Sequence, residues 1–217
     1  MASVGIIANP AAGKDIRRIV AHGRFVPNNE KVNILKRVLA GLDAVGVDKV
    51  LFMPDSGMLG RGALDGSKFK LDAEFIDIPV FHAEEDSTRA AAYMRNWGVG
   101  CVITLGGDGT NRAVAKETGD IPILPISTGT NNVFPTMIEG TVAGMAAGIV
   151  SLGVVETNVA TVRSSKLELD TAQQEQHTSS NRQQELAAQA ASLQDDQGQL
   201  RELRTTQEDT LDEARLE

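Results

Sequence analysis

The sequence predicts an α/β fold, a doubly wound and mainly parallel sheet, followed by an α-helical C-terminal tail. Three observations predict it. Short apolar runs alternate with helical segments through residues 1–165, the pattern of strand–helix–strand units in a parallel sheet. One of those runs, Gly-Cys-Val-Ile-Thr-Leu at 100–105, is apolar almost throughout, as a strand covered on both faces must be. Composition then changes abruptly: all seven prolines, every aromatic residue and twenty of the twenty-one glycines precede residue 166, while the last 52 residues hold ten glutamines.

The elements follow in chain order. Residues 4–8 form a short buried strand ended by Asn9-Pro10. Residues 30–46 place Leu35, Val38, Leu39, Leu42 and Val45 on one helical face, with Gly46 as the stop. Residues 49–53 read as a second strand and 75–78 as a third, closed by Pro79. Residues 87–97 form a helix with Asp86 or Ser87 as N-cap and Gly98 beyond its end. The strand 100–105 leads to a helix at 112–118, a strand at 121–126 and a helix rich in small residues at 136–152. Within that last helix the Ala/Gly-rich stretch 141–149 reads as a close-packing surface.

Ligands of such sheets bind beyond the carboxyl ends of the strands. That rule selects the loops 9–14, 106–111 and 127–132, all rich in Gly, Asn, Thr and Ser. In the central loop, Gly106 and Gly107 allow a sharp turn and close approach to an oligophosphate. Gly109 and Thr110 lie where the next helix opens, and its N–H groups and dipole attract anions. Asp108 is the exception, because a carboxylate repels phosphate unless it holds a metal or accepts a proton. The Walker pattern fails, since it would require Gly at Ala8 and Ser or Thr at Asp15. The dinucleotide fingerprint fails as well, because Gly107 and Gly109 are followed by Arg112.

Asn9-Pro10 with Gly13, the run Gly106-Gly107-Asp108-Gly109-Thr110-Asn111, and the run Ser127-Thr128-Gly129-Thr130-Asn131-Asn132 resemble the NAD kinase/diacylglycerol kinase superfamily. In detail, IIANPAAGKDIRR and LGGDGTNR are similar to its ATP-NAD kinase-like branch found with acetoin-catabolism operons, the protein X group. The resemblance spans residues 4 to about 163. It implies ATP with a divalent metal such as Mg²⁺, and a nucleotide or lipid hydroxyl as phosphate acceptor. It implies that Asp108 acts as base or metal organiser. Gly106, Gly107, Gly109, Thr110 and Asn111 would cradle phosphate, and Asn9 with Thr128, Gly129, Thr130 and Asn131 would complete the cleft. Where NAD kinases carry an Asn-Glu-like pair, this sequence has Asn131-Asn132, in a loop closer to the lipid-kinase form.

The family also carries a β-sandwich after the α/β part. Here residues 166–169 look like the start of its first strand, and residues 171–217 then read as helix, without proline and dominated by Gln, Glu, Ala and Leu. Leu186, Leu193 and Leu200 are spaced by seven, with Leu203 at the matching position, a weak coiled-coil signal that an acidic solvated tail matches equally. The expected organisation is therefore an α/β domain at 1–165 and a Gln/Glu-rich tail at 166–217 in place of the sandwich. In the family that sandwich supplies part of the acceptor site and often the subunit contacts, so four readings stand open: a phosphotransferase, weakened or inactive in this form; a lipid kinase; a non-catalytic nucleotide-binding or regulatory module; and an assembly protein driven by the tail.

Net charge is −8, and the tail carries nearly all of it, with 5 Lys+Arg against 12 Asp+Glu. No basic and aromatic cluster of the kind nucleic acid requires occurs, and no apolar stretch reaches the ~18 residues of a membrane span. The start lacks the basic region of a signal peptide. The expected setting is cytoplasmic, with a nucleotide (ATP or NAD) as partner and a homo-oligomer as the assembly the tail would support. Cys101 reads as a buried hydrophobe, and the acidic run at 84–86 after His82 reads as helix-start chemistry rather than a metal cluster. Lys14, Arg17 and Arg18 are either phosphate contacts or a solvated helix face, and His22 and His177 have no sequence partners.

Overall fold

The computed structural model describes residues 1–14, 22–130 and 132–164 of the 217-residue chain. Within it Met1–Val162 make a compact unit. Its elements are β1 (Ser3–Ala8), α1 (Asn28–Val45), β2 (Lys49–Phe52), α2 (Leu59–Leu64), β3 (Asp72–Phe75), α3 (Glu84–Trp97), β4 (Cys101–Gly106), α4 (Asp108–Ala115), β5 (Ile123–Ser127), α5 (Gly140–Ser151) and α6 (Thr157–Ala160). Among the described residues the strands form one five-stranded sheet in the order β3-β2-β1-β4-β5, and every neighbouring pair is parallel. The doubly wound α/β fold expected from the sequence is the fold observed.

Helices cover both faces. On one, Leu35, Val38, Leu39 and Leu42 of α1, Leu59 and Ala63 of α2, and Ala143 and Ala147 of α5 pack on Ile6, Phe52, Ile103 and Leu105. On the other, Ala90, Ala91 and Met94 of α3 and Val114 of α4 pack on Ile7, Leu51 and Val102. Successive residues of β1 and β4 thus enter different cores, which is why these strands read as continuous apolar runs. Each large aliphatic side chain buried there is worth roughly 1.5–3 kcal/mol.

The Ala/Gly-rich helix is a packing surface, as expected. A methyl group on Gly144 would lie 2.1 Å from the Val38 carbonyl oxygen, and one on Gly41 would lie 2.3 Å from the Thr141 carbonyl oxygen. Backbone therefore meets backbone between α1 and α5 at Gly140 and Gly144, and one turn further on Gly148 makes room for the Val45 side chain.

Several boundaries differ from the sequence reading. The third strand is Asp72–Phe75 rather than 75–78, and its residues alternate exposed and half-buried. It is an edge strand, and Asp72 and Glu74 on its outer side both pair with Lys49, at 3.1 and 2.5 Å; those carboxylates concealed it. Helix α3 begins at Glu84 behind Ala83, so neither Asp86 nor Ser87 is the N-cap. Asp86 lies inside the first turn and accepts N–H bonds from Ala83 and Phe81. Helix α4 starts at Asp108, four residues before the expected 112, because Gly107 in extended conformation serves as its N-cap. The short helices α2 and α6 carried no recognisable periodicity. The expected tail helix, its leucine heptads and the strand at 166–169 lie outside the described residues, as do Arg17, Arg18 and His177.

Candidate functional site

In this strand order the chain direction across the sheet reverses between β1 and β4, and the loops leaving these two strands diverge. The Asn9 N–H still donates to the Leu105 carbonyl at 2.9 Å, and beyond it the Asn9 side chain reaches the second loop at Thr110. The space between them is a cavity of about 630 Å³, bounded by residues 9–13, 53–56, 80, 82–84, 86–87, 107–110, 112, 129–130 and 132.

The first wall is the loop after β1. The Asn9 side chain organises it: its Oδ1 accepts the Ala11 N–H at 2.8 Å, and its Nδ2 donates to Thr110 Oγ1 at 2.9 Å. Gly13 closes the turn at φ 78°, and a methyl group on it would lie 2.9 Å from the Thr128 carbonyl oxygen, so no side chain fits there. From beneath, the Lys31 ammonium donates to the carbonyls of Asn9 (3.0 Å), Pro10 (3.2 Å) and Ala12 (2.9 Å).

The second wall is the start of α4. Asn111 is buried and holds the turn from below: Thr104 Oγ1 donates to its Oδ1 at 2.6 Å, and its Nδ2 donates to the Gly107 carbonyl at 2.9 Å. Gly107 and Gly129 touch, since a methyl group on Gly129 would come within 2.8 Å of the Gly107 α-carbon. Gly109 differs. It lines the cavity, and a methyl group placed on it would meet no atom within 4 Å. Asp108 also lines the cavity, with Oδ1 accepting the Phe134 N–H at 2.9 Å and Oδ2 the Val133 N–H at 3.0 Å.

Of the residues expected to form the site, Asn9, Gly107, Asp108, Gly109, Thr110, Gly129 and Thr130 line this cavity. Gly106, Asn111 and Thr128 stand behind it as support, all three buried, and Asn131 lies outside the described residues.

Comparison with known proteins gives the arrangement its place. Residues 4–154 match the ATP-NAD kinase N-terminal domain. The chain belongs to the ATP-NAD kinase family. It is also similar to Acetoin catabolism protein X of Cupriavidus necator, at 42% identity over 173 residues, covering 76% of this chain and 48% of that protein. The chain thus spans about half the length of this curated relative. At family level the domain is nucleotide kinase-like, and no described helix is long and apolar enough to cross a membrane.

Two residues at this cavity escaped the sequence, Lys31 and Asp55, and a third, Asn132, stood in the third loop motif without a role of its own. Lys31 is fully buried; its signal was its register, one turn before Leu35 on the apolar stripe of α1. Burial, together with the charge of Lys14, pulls its ammonium down to about 8, while Asp55 opposes the shift. Asp55 lines the cavity, and burial raises its carboxyl above the ordinary range against the N–H groups of Leu59, Gly60 and Gly57. Asn132 lies over Gly107 and Gly129, and its Nδ2 donates to Ser127 Oγ at 2.8 Å.

The Cys101 thiol is buried and pushed up to about 12, so it stays protonated and inert. Lys14 is exposed beside the first loop. Among the described residues no three His, Cys, Asp or Glu side chains converge as a metal cluster. Glu84 pairs instead with Lys116 (3.2 Å) and Arg112 (3.5 Å).

Proposed function

We propose that this cavity binds ATP through its phosphates, and that the domain is the nucleotide-binding part of an NAD kinase-like phosphotransferase. The observation that carries the reading is the contrast among the glycines. Gly13, Gly107 and Gly129 lack side chains because protein atoms occupy the space, whereas the space beside Gly109 is empty and opens at the N-terminus of α4. A helix N-terminus with an unfilled approach suits a phosphate group. A volume of about 630 Å³ also lies in the range of small-molecule and cofactor sites.

Asp108 is our choice of catalytic residue. Its two N–H bonds fix the carboxylate at the cavity wall, yet a carboxylate offers about four acceptor positions, so Asp108 retains capacity to accept the acceptor's hydroxyl proton. The donor set also fits a divalent metal of the Mg²⁺ type, which needs one or two carboxylates beside the nucleotide's own phosphate oxygens. Such a metal would supply charge neutralisation on the phosphates.

A second reading, a nucleotide-binding module without turnover, is favoured by the engagement of Asp108 with Val133 and Phe134. A thermal-shift and calorimetric titration of the full chain with Mg-ATP tests the binding. A ligand at about 100 times its dissociation constant adds about 2.7 kcal/mol of stability; no stabilisation by Mg-ATP would refute the proposal. An assay of ATP-dependent NAD phosphorylation, with Asp108→Asn as control, separates the two readings. The first predicts turnover that falls about 100-fold or more in the variant while ATP affinity holds; the second predicts no turnover in either.

A further inference from the structure

Lys31 stands where the register of α1 calls for an apolar side chain, one turn before Leu35 on the stripe continued by Val38, Leu39 and Leu42. Burying an ammonium is costly unless its donors are satisfied. Its three hydrogens find acceptors on one short loop, the carbonyls of Asn9, Pro10 and Ala12. A methionine at this position would extend the stripe without that desolvation cost. The ammonium instead does something methionine could not do: it draws three partially negative oxygens toward α1.

We propose that Lys31 is a positioning residue of the nucleotide site, turning the carbonyls of the 9–12 segment away from the cavity and setting a positive charge behind the loop that meets the phosphates. Carbonyl oxygens facing the cavity would repel an anion, and a cation behind the loop attracts one. The inference rests on the nucleotide reading above and assigns a role within that site.

Charge at Lys31 links binding to pH. The groups acting on it are Lys14 from the loop and Asp55 from the segment after β2, while Glu30 of α1 is engaged with Arg37 at 3.0 Å. With no ligand the ammonium titrates at about 8. Bound phosphates favour the charged form and raise that value. Affinity is therefore complete below the lower value and declines as pH rises through it.

The test is calorimetric titration of the full chain with Mg-ATP from about pH 7 to about pH 9.5, above the phosphate ionisation near 6. Wild type, Lys31→Met, Lys31→Arg and Gly109→Ala are compared. Lys31→Met is expected to bind about tenfold more weakly or worse, as loss of charged hydrogen bonds implies, and to lose the decline above about pH 8. Lys31→Arg, which keeps the charge, recovers part of the affinity. Wild-type binding by Lys31→Met, or the same pH slope in it, would overturn the proposal. If Lys31→Met does not fold, the wild-type profile decides: a flat affinity across that range overturns it and a decline supports it. Absence of Mg-ATP binding by wild type would overturn the nucleotide reading and this proposal together. Loss of binding in Gly109→Ala beside an unchanged Lys31→Met would overturn this proposal alone.

Discussion

The Nδ2 of Asn9 donates to the Oγ1 of Thr110 across 2.9 Å, joining the loop after β1 to the first turn of α4. The two residues are 101 positions apart in sequence, and their bond spans the opening in which the cavity forms. Asn9→Ala is expected to lose this bond and the Ala11 turn bond, at about 1–2 kcal/mol of stability. A double-mutant cycle with Thr110→Val in urea unfolding should return a coupling of about 0.5–1.5 kcal/mol. A coupling near zero would show that the bond does not join the walls energetically.

Gly109→Ala and Gly129→Ala should behave in opposite ways. At Gly109 the added methyl meets nothing within 4 Å, and alanine suits a helix better than glycine by about 0.5–1 kcal/mol. Melting should therefore hold or rise while Mg-ATP affinity falls, if phosphate occupies that space. At Gly129 the methyl would reach within 2.8 Å of the Gly107 α-carbon, and overpacking of this kind costs roughly 1–3 kcal/mol. Unchanged ATP affinity in a well-folded Gly109→Ala protein would remove phosphate from this position.

Gly144→Val tests the contact between α1 and α5. Its first carbon would fall 2.1 Å from the Val38 carbonyl oxygen, on backbone that cannot swing aside. A loss of roughly 3 kcal/mol or more is expected, at the upper end of overpacking costs, read as a shift of the denaturant midpoint. Val142→Ala on the same helix is the control, because Val142 is exposed and surface changes usually stay within about 0.5 kcal/mol.

Asp86 gives an acid-side prediction. Burial alone would raise its carboxyl, but the N–H groups of Phe81, Ala83 and His82, with the Arg89 charge, outweigh it and hold the value below the ordinary 3.8. A carboxylate depressed in the folded state stabilises fully above its unfolded value and loses that contribution as pH falls through the folded one. Asp86→Asn should therefore destabilise by about 1–3 kcal/mol near neutral pH, and the gap to wild type should close as the pH drops below about 3.8. A gap independent of pH in acid titrations followed by circular dichroism would contradict this.

The sequence by itself determined the class of fold, the order of most elements and the three loops that meet at the site. These are local properties: the apolar run at 100–105 and the spacing from Leu35 to Leu42 each express a burial pattern within one segment. The edge strand at Asp72–Phe75 escaped because its outer side chains are carboxylates held by Lys49 on the neighbouring strand, a partner that strand pairing alone supplies. Only the tertiary structure decided which loop residues face the cavity and which support it. Asn111, inside the motif, turns inward to Thr104 and Gly107. Lys31, in no motif, comes to lie beneath the first loop. The reason is physical: a side chain's role is set by what packs against it, and here the partners come from segments that only the folded sheet brings together.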